Sequence, residues 1–273
     1  MKNFLKGVAV VSVFLIAIIW VYPLLLILFN SFKPYTLMMS EFLSLPKNLP
    51  LITYVEAWQK LEYAKLFFNT FIYTFFSVII IVISASMAAF KLSRTKSRLS
   101  GFLFMFCLAP LMIPFQSYMI TATQFAKKFG MMGNRIGVIV VSAGLCMPLA
   151  TFLYHGFMKT IPSYLDESAR IDGASGLTLF FKIIFPLLKP VTTTIVVIDT
   201  LAIWNDFLVP LLYIGGKSKY YNIQTALYAQ FSNSYSDWEH ALPGIIISLV
   251  PTIIFFIIMQ KHIVDGVTAG AIK

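Results

Sequence analysis

Three of the chain's eleven acidic residues, Asp166, Glu167 and Asp172, fall within seven positions of one charged stretch, 163–190 (SYLDESARIDGASGLTLFFKIIFPLLKP). Carboxylates gathered on a short polar helix offer anionic contacts to a partner. Two more acids, Asp199 and Asp206, sit inside an apolar run. A carboxylate is costly there and is by default a candidate for binding substrate hydroxyls, relaying protons or bracing helices. Nothing beside them forms a catalytic constellation, since no Ser/His arrangement and no HExxH string is present. His155, His240 and His262 are too scattered to form a metal site. The one Walker-like string is Gly215-Gly216-Lys217-Ser218, but the first glycine of a phosphate loop would have to stand at position 211, which is Leu. No catalytic and no metal-ligating residue is assigned, and the chain itself is expected to bind no cofactor.

The elements that must position these residues are set by lipid. The chain has 273 residues, 59% of them hydrophobic and 12% charged, against about 45–50% and 25% in soluble domains. Its mean hydropathy is +0.83. A spanning helix needs about 20 apolar residues, and six stretches qualify, at about 7–32, 67–90, 99–123, 136–158, 191–214 and 242–259. Only helices and closed barrels satisfy their backbone in lipid, so the expectation is an all-α membrane protein with a six-helix bundle, a single domain over 1–273. The first apolar run of about 25 residues is longer than the 7–15 of a cleavable signal and reads as a retained helix.

Lys and Arg set the orientation. With the N-terminus inside, twelve of the 21 cations lie on inner segments. The clearest vote comes from Lys91, Arg94, Lys96 and Arg98, between the second and third stretches. Both termini and the 159–190 loop are therefore expected in the cytoplasm, in a multi-pass protein. The net charge of +10 is spread over loop ends, which favours interface anchoring over a nucleic-acid partner. Cys107 and Cys146 fall inside apolar stretches and read as small buried residues. Proline recurs within the spans, at Pro23, Pro110, Pro114, Pro148, Pro210 and Pro251. Such breaks fit either irregular packing or a bundle that changes shape around a pathway.

Within the charged stretch, Ser163 followed by Asp166 resembles a capping box. Asp166 and Glu167 favour the positive end of a helix dipole, Asp166 and Arg170 stand at i,i+4, and Gly173 is placed to end the helix. The spacing predicts a helix over 164–172. So short a helix needs tertiary support. Leu165, Ala169 and Ile171 are expected to pack on one side and leave the acids for a partner. An ordinary capped surface helix fits the same pattern.

The string resembles the EAA loop of binding-protein-dependent ABC importer permeases. Glu167, Ser168 and Ala169 take the E-A-A place, with Ser168 departing from Ala. Asp172, Gly173 and Ala174 match the D-G-A, and Ile184, Pro186, Lys189 and Pro190 match the hydrophobic and proline pattern downstream. The strings at 30–34 (NSFKP), 112–116 (MIPFQ), 204–212 (WNDFLVPLL) and 266–273 (GVTAGAIK) look like the maltose-type carbohydrate subfamily, in its shorter six-helix subunit. The resemblance implies a type I importer bundle in the bacterial inner membrane, carrying carbohydrate of the oligosaccharide class. It implies a second homologous permease, two cytoplasmic ATPase subunits that hold the ATP and Mg, and an external sugar-binding protein. It also implies roles. Asp166, Glu167, Ser168, Ala169, Arg170, Asp172, Gly173 and Ala174 would form a coupling helix seated in the ATPase. Trp204, Asn205 and Asp206 would line the pathway or brace it, bracing being favoured for Asp206. Gly215, Gly216, Tyr220, Tyr221 and Asn222 would belong to a loop reaching the binding protein, though a plain external loop fits as well. The competing reading is an ion-coupled secondary transporter using Asp199 and Asp206. The absence of an internal repeat weakens it.

Overall fold

The computed structural model describes residues 2–232 and 237–271, with side chains described over 6–231 and 237–261. All regular elements among them are helical. By its contacts the chain divides into two compact units. One is Met1–Lys65 with Ala226–Pro251; the other is Leu66–Thr225 with Thr252–Lys273.

The first unit begins with the Lys2–Asn30 helix. Its apolar side chains from Val8 to Leu25 stand exposed, as a helix facing lipid tails requires. The NSFKP string closes that helix. Asn30 is fully buried; its Nδ2 donates to the Leu26 carbonyl at 2.8 Å and the Phe42 carbonyl at 2.9 Å. Lys33, also buried, donates to Asn30 Oδ1 at 3.2 Å and to the Glu41 carbonyl at 2.7 Å. The motif is thus a clamp holding the 41–42 turn over the helix end. The Ile52–Lys60 helix joins the same unit through Ser31 Oγ and Tyr54 OH, 2.5 Å apart, and through an ion pair of Lys60 with Asp237. Gly244 packs closely in this unit, since a Cβ there would come within 2.8 Å of Leu61 and 3.2 Å of Leu227.

The second unit carries the charged stretch and both acids of the fifth apolar stretch, Asp199 and Asp206. The Tyr63–Arg94 helix buries Ile81, Ala85 and Ala89 completely. That i,i+4,i+8 stripe of one aliphatic and two small residues lets neighbours approach closely. It belongs to a core shared with Ala143, Ala150, Tyr154 and Met158 of the Arg135–Met158 helix and with Leu179, Phe180, Ile184 and Ile195. Tyr154 OH donates to Thr192 Oγ1 at 3.0 Å, tying the Arg135–Met158 and Lys189–Trp204 helices.

Four helices are long and apolar enough to cross a membrane: Lys6–Asn30, Tyr63–Arg94, Arg135–Met158 and Trp238–Lys261. Two bent pairs bring the number to six when each counts as one span. The third expected stretch, 99–123, is the first pair. It turns by 108° between Arg98–Met112 and Phe115–Lys128, where Ile113 and Pro114 are extended and proline cannot donate into the preceding turn. The fifth, 191–214, is interrupted after Trp204 and resumes as Leu208–Ile214. Its N-terminal part meets Gly176–Leu187 at 78°.

Candidate functional site

The charged stretch forms an eight-residue helix, Tyr164–Ile171. Its start departs from the expected capping box. Ser163 has helical φ and ψ and its side chain caps nothing; its carbonyl accepts the Asp166 and Glu167 amides instead. Asp166 is free to turn inward, where it is 6% exposed. Its Oδ2 accepts from Arg94 Nε at 2.8 Å and its Oδ1 from Arg94 Nη2 at 3.4 Å. Asp166 therefore does not face outward with Glu167, as a helix leaving all its acids to a partner would require.

The helix end follows the expectation. Gly173 has φ +81°. Its N–H donates to the Arg170 carbonyl at 3.0 Å, and the Ala174 N–H reaches back to the Ala169 carbonyl at 2.9 Å. This is the paired bonding of a Schellman turn, which needs a residue in the left-handed region. Leu165 and Ala169 pack inward, but Ile171 is 86% exposed. At about 100° per residue Ile171 lies roughly 240° round the helix from Leu165, so the two cannot share a face. The outward surface consists of Tyr164, Glu167, Ser168, Arg170, Ile171, Asp172 and Gly173. It is an anionic and apolar tip on a rigidly closed helix.

The chain returns through Gly176–Leu187, started by Ser175 Oγ accepting the Thr178 amide at 3.3 Å. Its middle, Leu179–Ile184, winds as a π-helix with Leu179, Phe180 and Ile184 buried. Single π turns are uncommon and often sit at functional positions. Phe180 packs on Phe90 with ring centroids 5.5 Å apart, so the return segment also rests on the Tyr63–Arg94 helix.

A second candidate lies around Asp206. Gln116, Ser142, Cys146, Asn205, Asp206 and Phe207 line part of a cavity of about 410 Å³. Asp206 Oδ1 accepts the Leu208 and Val209 amides at 2.8 and 3.4 Å, capping the resumed helix. Asn222 Nδ2 donates to the Asp206 carbonyl at 2.7 Å. Through these bonds Asp206 links the start of the resumed helix to Asn222. Asn205 is exposed and donates to the Leu201 carbonyl at 2.8 Å. Trp204 meets Phe67 edge-on, centroids 5.5 Å apart. Ser142 Oγ, Asp199 Oδ2 and Trp204 Nε1 are buried and find no hydrogen-bond partner among the described residues.

The loop after Leu208–Ile214 opens on two left-handed glycines, Gly215 (φ +62°) and Gly216 (φ +82°). Lys217 then donates to the Gly133 carbonyl at 3.2 Å, so the lysine of the Walker-like string is engaged with backbone. Beyond it the loop is clasped from beneath. Asn69 Nδ2 donates to the Lys219 and Tyr221 carbonyls at 3.1 and 2.8 Å, and Tyr73 OH donates to the Tyr220 carbonyl at 2.6 Å. Arg135 holds Asn69 Oδ1 at 2.8 Å and lies over the Tyr220 ring. Asn222 is 1% exposed, its Oδ1 accepting the Thr225 amide at 3.0 Å. It is a support for the loop, not a side chain offered outward; the exposed part is Gly215 to Lys219. Of the 266–273 string, the side chains and residues 272–273 lie outside the described residues.

Among the described residues no three His, Cys, Asp or Glu side chains gather as a metal site. His155 stacks on Phe104 at 3.8 Å. The sequence reading missed Arg94, counted only as one of four cations, and the Asn69–Arg135 clasp. No local pattern distinguishes an Arg that turns into the protein from one that anchors at the interface.

The family described as binding-protein-dependent transport system inner membrane component matches residues 80–268. The probable starch degradation products transport system permease protein AmyC of Thermoanaerobacterium thermosulfurigenes is 38% identical over 94% of this chain and 93% of its own length. The multiple sugar-binding transport system permease protein MsmG of Streptococcus mutans is 34% identical, covering 92% and 91%. The melibiose/raffinose/stachyose import permease protein MelC of Bacillus subtilis is 32% identical, covering 84% and 83%. Among solved structures, a chain of a bacterial ABC transporter involved in import of the acidic polysaccharide alginate superposes with a TM-score of 0.80, at 22% identity, over 95% of this chain and 96% of that one.

Proposed function

The chain belongs to the inner membrane components of binding-protein-dependent transport systems, and on that premise we propose that it is a permease subunit of an ATP-driven importer for carbohydrates of the oligosaccharide class. The observation that carries this reading is the near-full-length likeness to permeases named for sugars and sugar oligomers. The chain forms the translocation path with a second homologous permease as one transmembrane domain over 1–273, both termini in the cytoplasm. It catalyses no reaction and holds no cofactor. ATP and Mg bind two partner ATPase subunits, and an external binding protein delivers the sugar.

Coupling passes through the Tyr164–Ile171 helix. Its outward tip combines Glu167, Ile171 and Asp172, a set that fits a cleft with one cationic and one apolar wall. Ser168, Arg170 and Gly173 border that tip, while Ala169 and Ala174 seat the helix on its own bundle. An interface with discrete packed states transmits motion in steps, not by gradual bending. The cavity beside Asn205 and Gln116 is the part of the path this chain supplies. Trp204 and Asp206 brace its wall, and the Gly215–Gly216 turn with Tyr220 and Tyr221 meets the binding protein.

The secondary-transporter reading asks Asp199 and Asp206 to carry protons. Asp206 Oδ1 is engaged with two backbone amides, and Asp199 Oδ2 meets no hydrogen-bond partner among the described residues that could pass a proton on. Proton coupling is also unnecessary when ATP supplies the work. The test is purification in mild detergent, with ATPase stimulation scanned across oligosaccharides in the presence of the binding protein. An ATPase should co-purify with the wild-type chain and be lost from Glu167→Lys, which still inserts. Normal co-purification with that variant refutes the coupling-helix role.

A further inference from the structure

Arg94 does more than neutralise Asp166. It stands in the last turn of the Tyr63–Arg94 helix. Besides the two bonds to the Asp166 carboxylate, its Nη2 donates to the Ile161 carbonyl at 3.0 Å and its Nη1 to the Met158 carbonyl at 3.5 Å. Met158 is the last residue of the Arg135–Met158 helix, so its carbonyl is one of the four that a helix end leaves without a partner in the helix. Cations are favoured at such an end. The side chains of the pair are only 17% and 9% exposed, and the residues around them, Met158, Ile161 and Ala169, are buried. One planar guanidinium therefore joins three elements: the end of one spanning helix, the end of a second, and the first turn of the short charged helix.

We propose that Arg94 is a positioning residue for energy coupling: its fork makes the Tyr164–Ile171 helix move as one body with the ends of the Tyr63–Arg94 and Arg135–Met158 helices, so that displacement of the tip reaches the bundle. The inference rests on the reading that this helix docks the ATPase. The chemistry selects Arg for the task. A guanidinium donates in a fixed plane to a carboxylate and to carbonyls at once, whereas a lysine ammonium is a point charge on a flexible stem. Burial strengthens the tie, since neither partner regains water cheaply when the pair parts. Hydrophobic contact of Leu165 and Ala169 with the core holds the helix in place but leaves it able to slide; the directed bonds fix its angle.

The experiment uses the assembled complex in proteoliposomes with its binding protein, reading three quantities: ATPase co-purification, basal ATP hydrolysis, and sugar transported per ATP. Asp166→Asn keeps the shape and removes the charge, and Arg94→Lys keeps the charge and removes the fork. Both should retain the ATPase and basal hydrolysis while sugar per ATP falls, by about tenfold for Asp166→Asn on the scale of a charge-assisted bond and less for Arg94→Lys. Wild-type sugar per ATP in Asp166→Asn overturns the proposal. A fall of ATPase co-purification and basal hydrolysis in proportion to the amount of inserted protein, with sugar per ATP left at the wild-type ratio in both variants, also overturns it, because it marks a merely structural pair. Glu167→Lys separates this outcome from failure of the docking reading. If Glu167→Lys keeps its ATPase, docking is refuted; if it loses the ATPase while Asp166→Asn transports normally, the tie alone is refuted.

Discussion

Gly173 provides a sharp perturbation because its neighbour Gly176 supplies the control. A Cβ built on either glycine meets nothing within 4 Å, so replacing either with Ala introduces no clash. They differ in backbone: Gly173 sits at φ +81°, whereas Gly176 opens the return helix. An L-residue held in the left-handed region costs about 1–2 kcal/mol. In Gly173→Ala that cost falls on the Schellman turn that bonds Ala174 N–H to the Ala169 carbonyl. The population of the closed turn should drop by a factor of about 5–30. Gly176→Ala should be neutral or mildly stabilising, by up to about 1 kcal/mol, because Ala suits a helix better. Gly173→Asn should fall between wild type and Gly173→Ala, since Asn tolerates this region best after Gly. Hydrogen exchange on the detergent-solubilised complex reads the turn directly at the Ala174 amide. Its protection should fall by the same factor in Gly173→Ala and stay unchanged in Gly176→Ala, with ATPase stimulation weakening in step. Equal behaviour of the two alanine variants would refute the reasoning, because sterics outside the backbone are matched.

Two further outcomes are expected. Gln116→Trp places a bulky ring from an exposed position into the cavity of about 410 Å³; sugar uptake should drop sharply while the ATPase still co-purifies, as radiolabelled uptake and pull-down would show. Asn69→Ala removes three bonds under the loop and should cost about 2–3 kcal/mol at about 1 kcal/mol per bond, read as a lower melting point in detergent and faster proteolysis after Lys217 and Lys219.

The physical cues in the residues reached the spans and the helix end but not the orientation of the short helix. Apolar runs of about 20 residues are strong signals because lipid leaves the backbone few alternatives. A left-handed turn announces itself through Gly173. The bend at 113–114 was foreshadowed by Pro110 and Pro114, yet a proline alone does not tell a kink from a turn of 108°. In the short helix, eight residues give too few turns for periodicity to choose a face. Ile171 looked like packing material by type, though its angular position sets it outside. Asp166 looked like surface because carboxylates usually are. Only the long-range meeting with Arg94, 72 positions earlier, decides otherwise, and such pairings leave no local trace. Asn222 is a similar case: its polar side chain in a Tyr- and Asn-rich loop suggested outward contact, but its bonds serve the backbone at Asp206 and Thr225.

The most direct test is carbohydrate uptake into proteoliposomes with ATP enclosed on the side of the 159–190 loop, the binding protein outside, and an uncoupler added at constant ATP. Uptake should require the enclosed ATP, vanish in Glu167→Lys, and persist with the uncoupler. Uptake that needs no ATP and collapses with the uncoupler would contradict ATP-driven import through this helix.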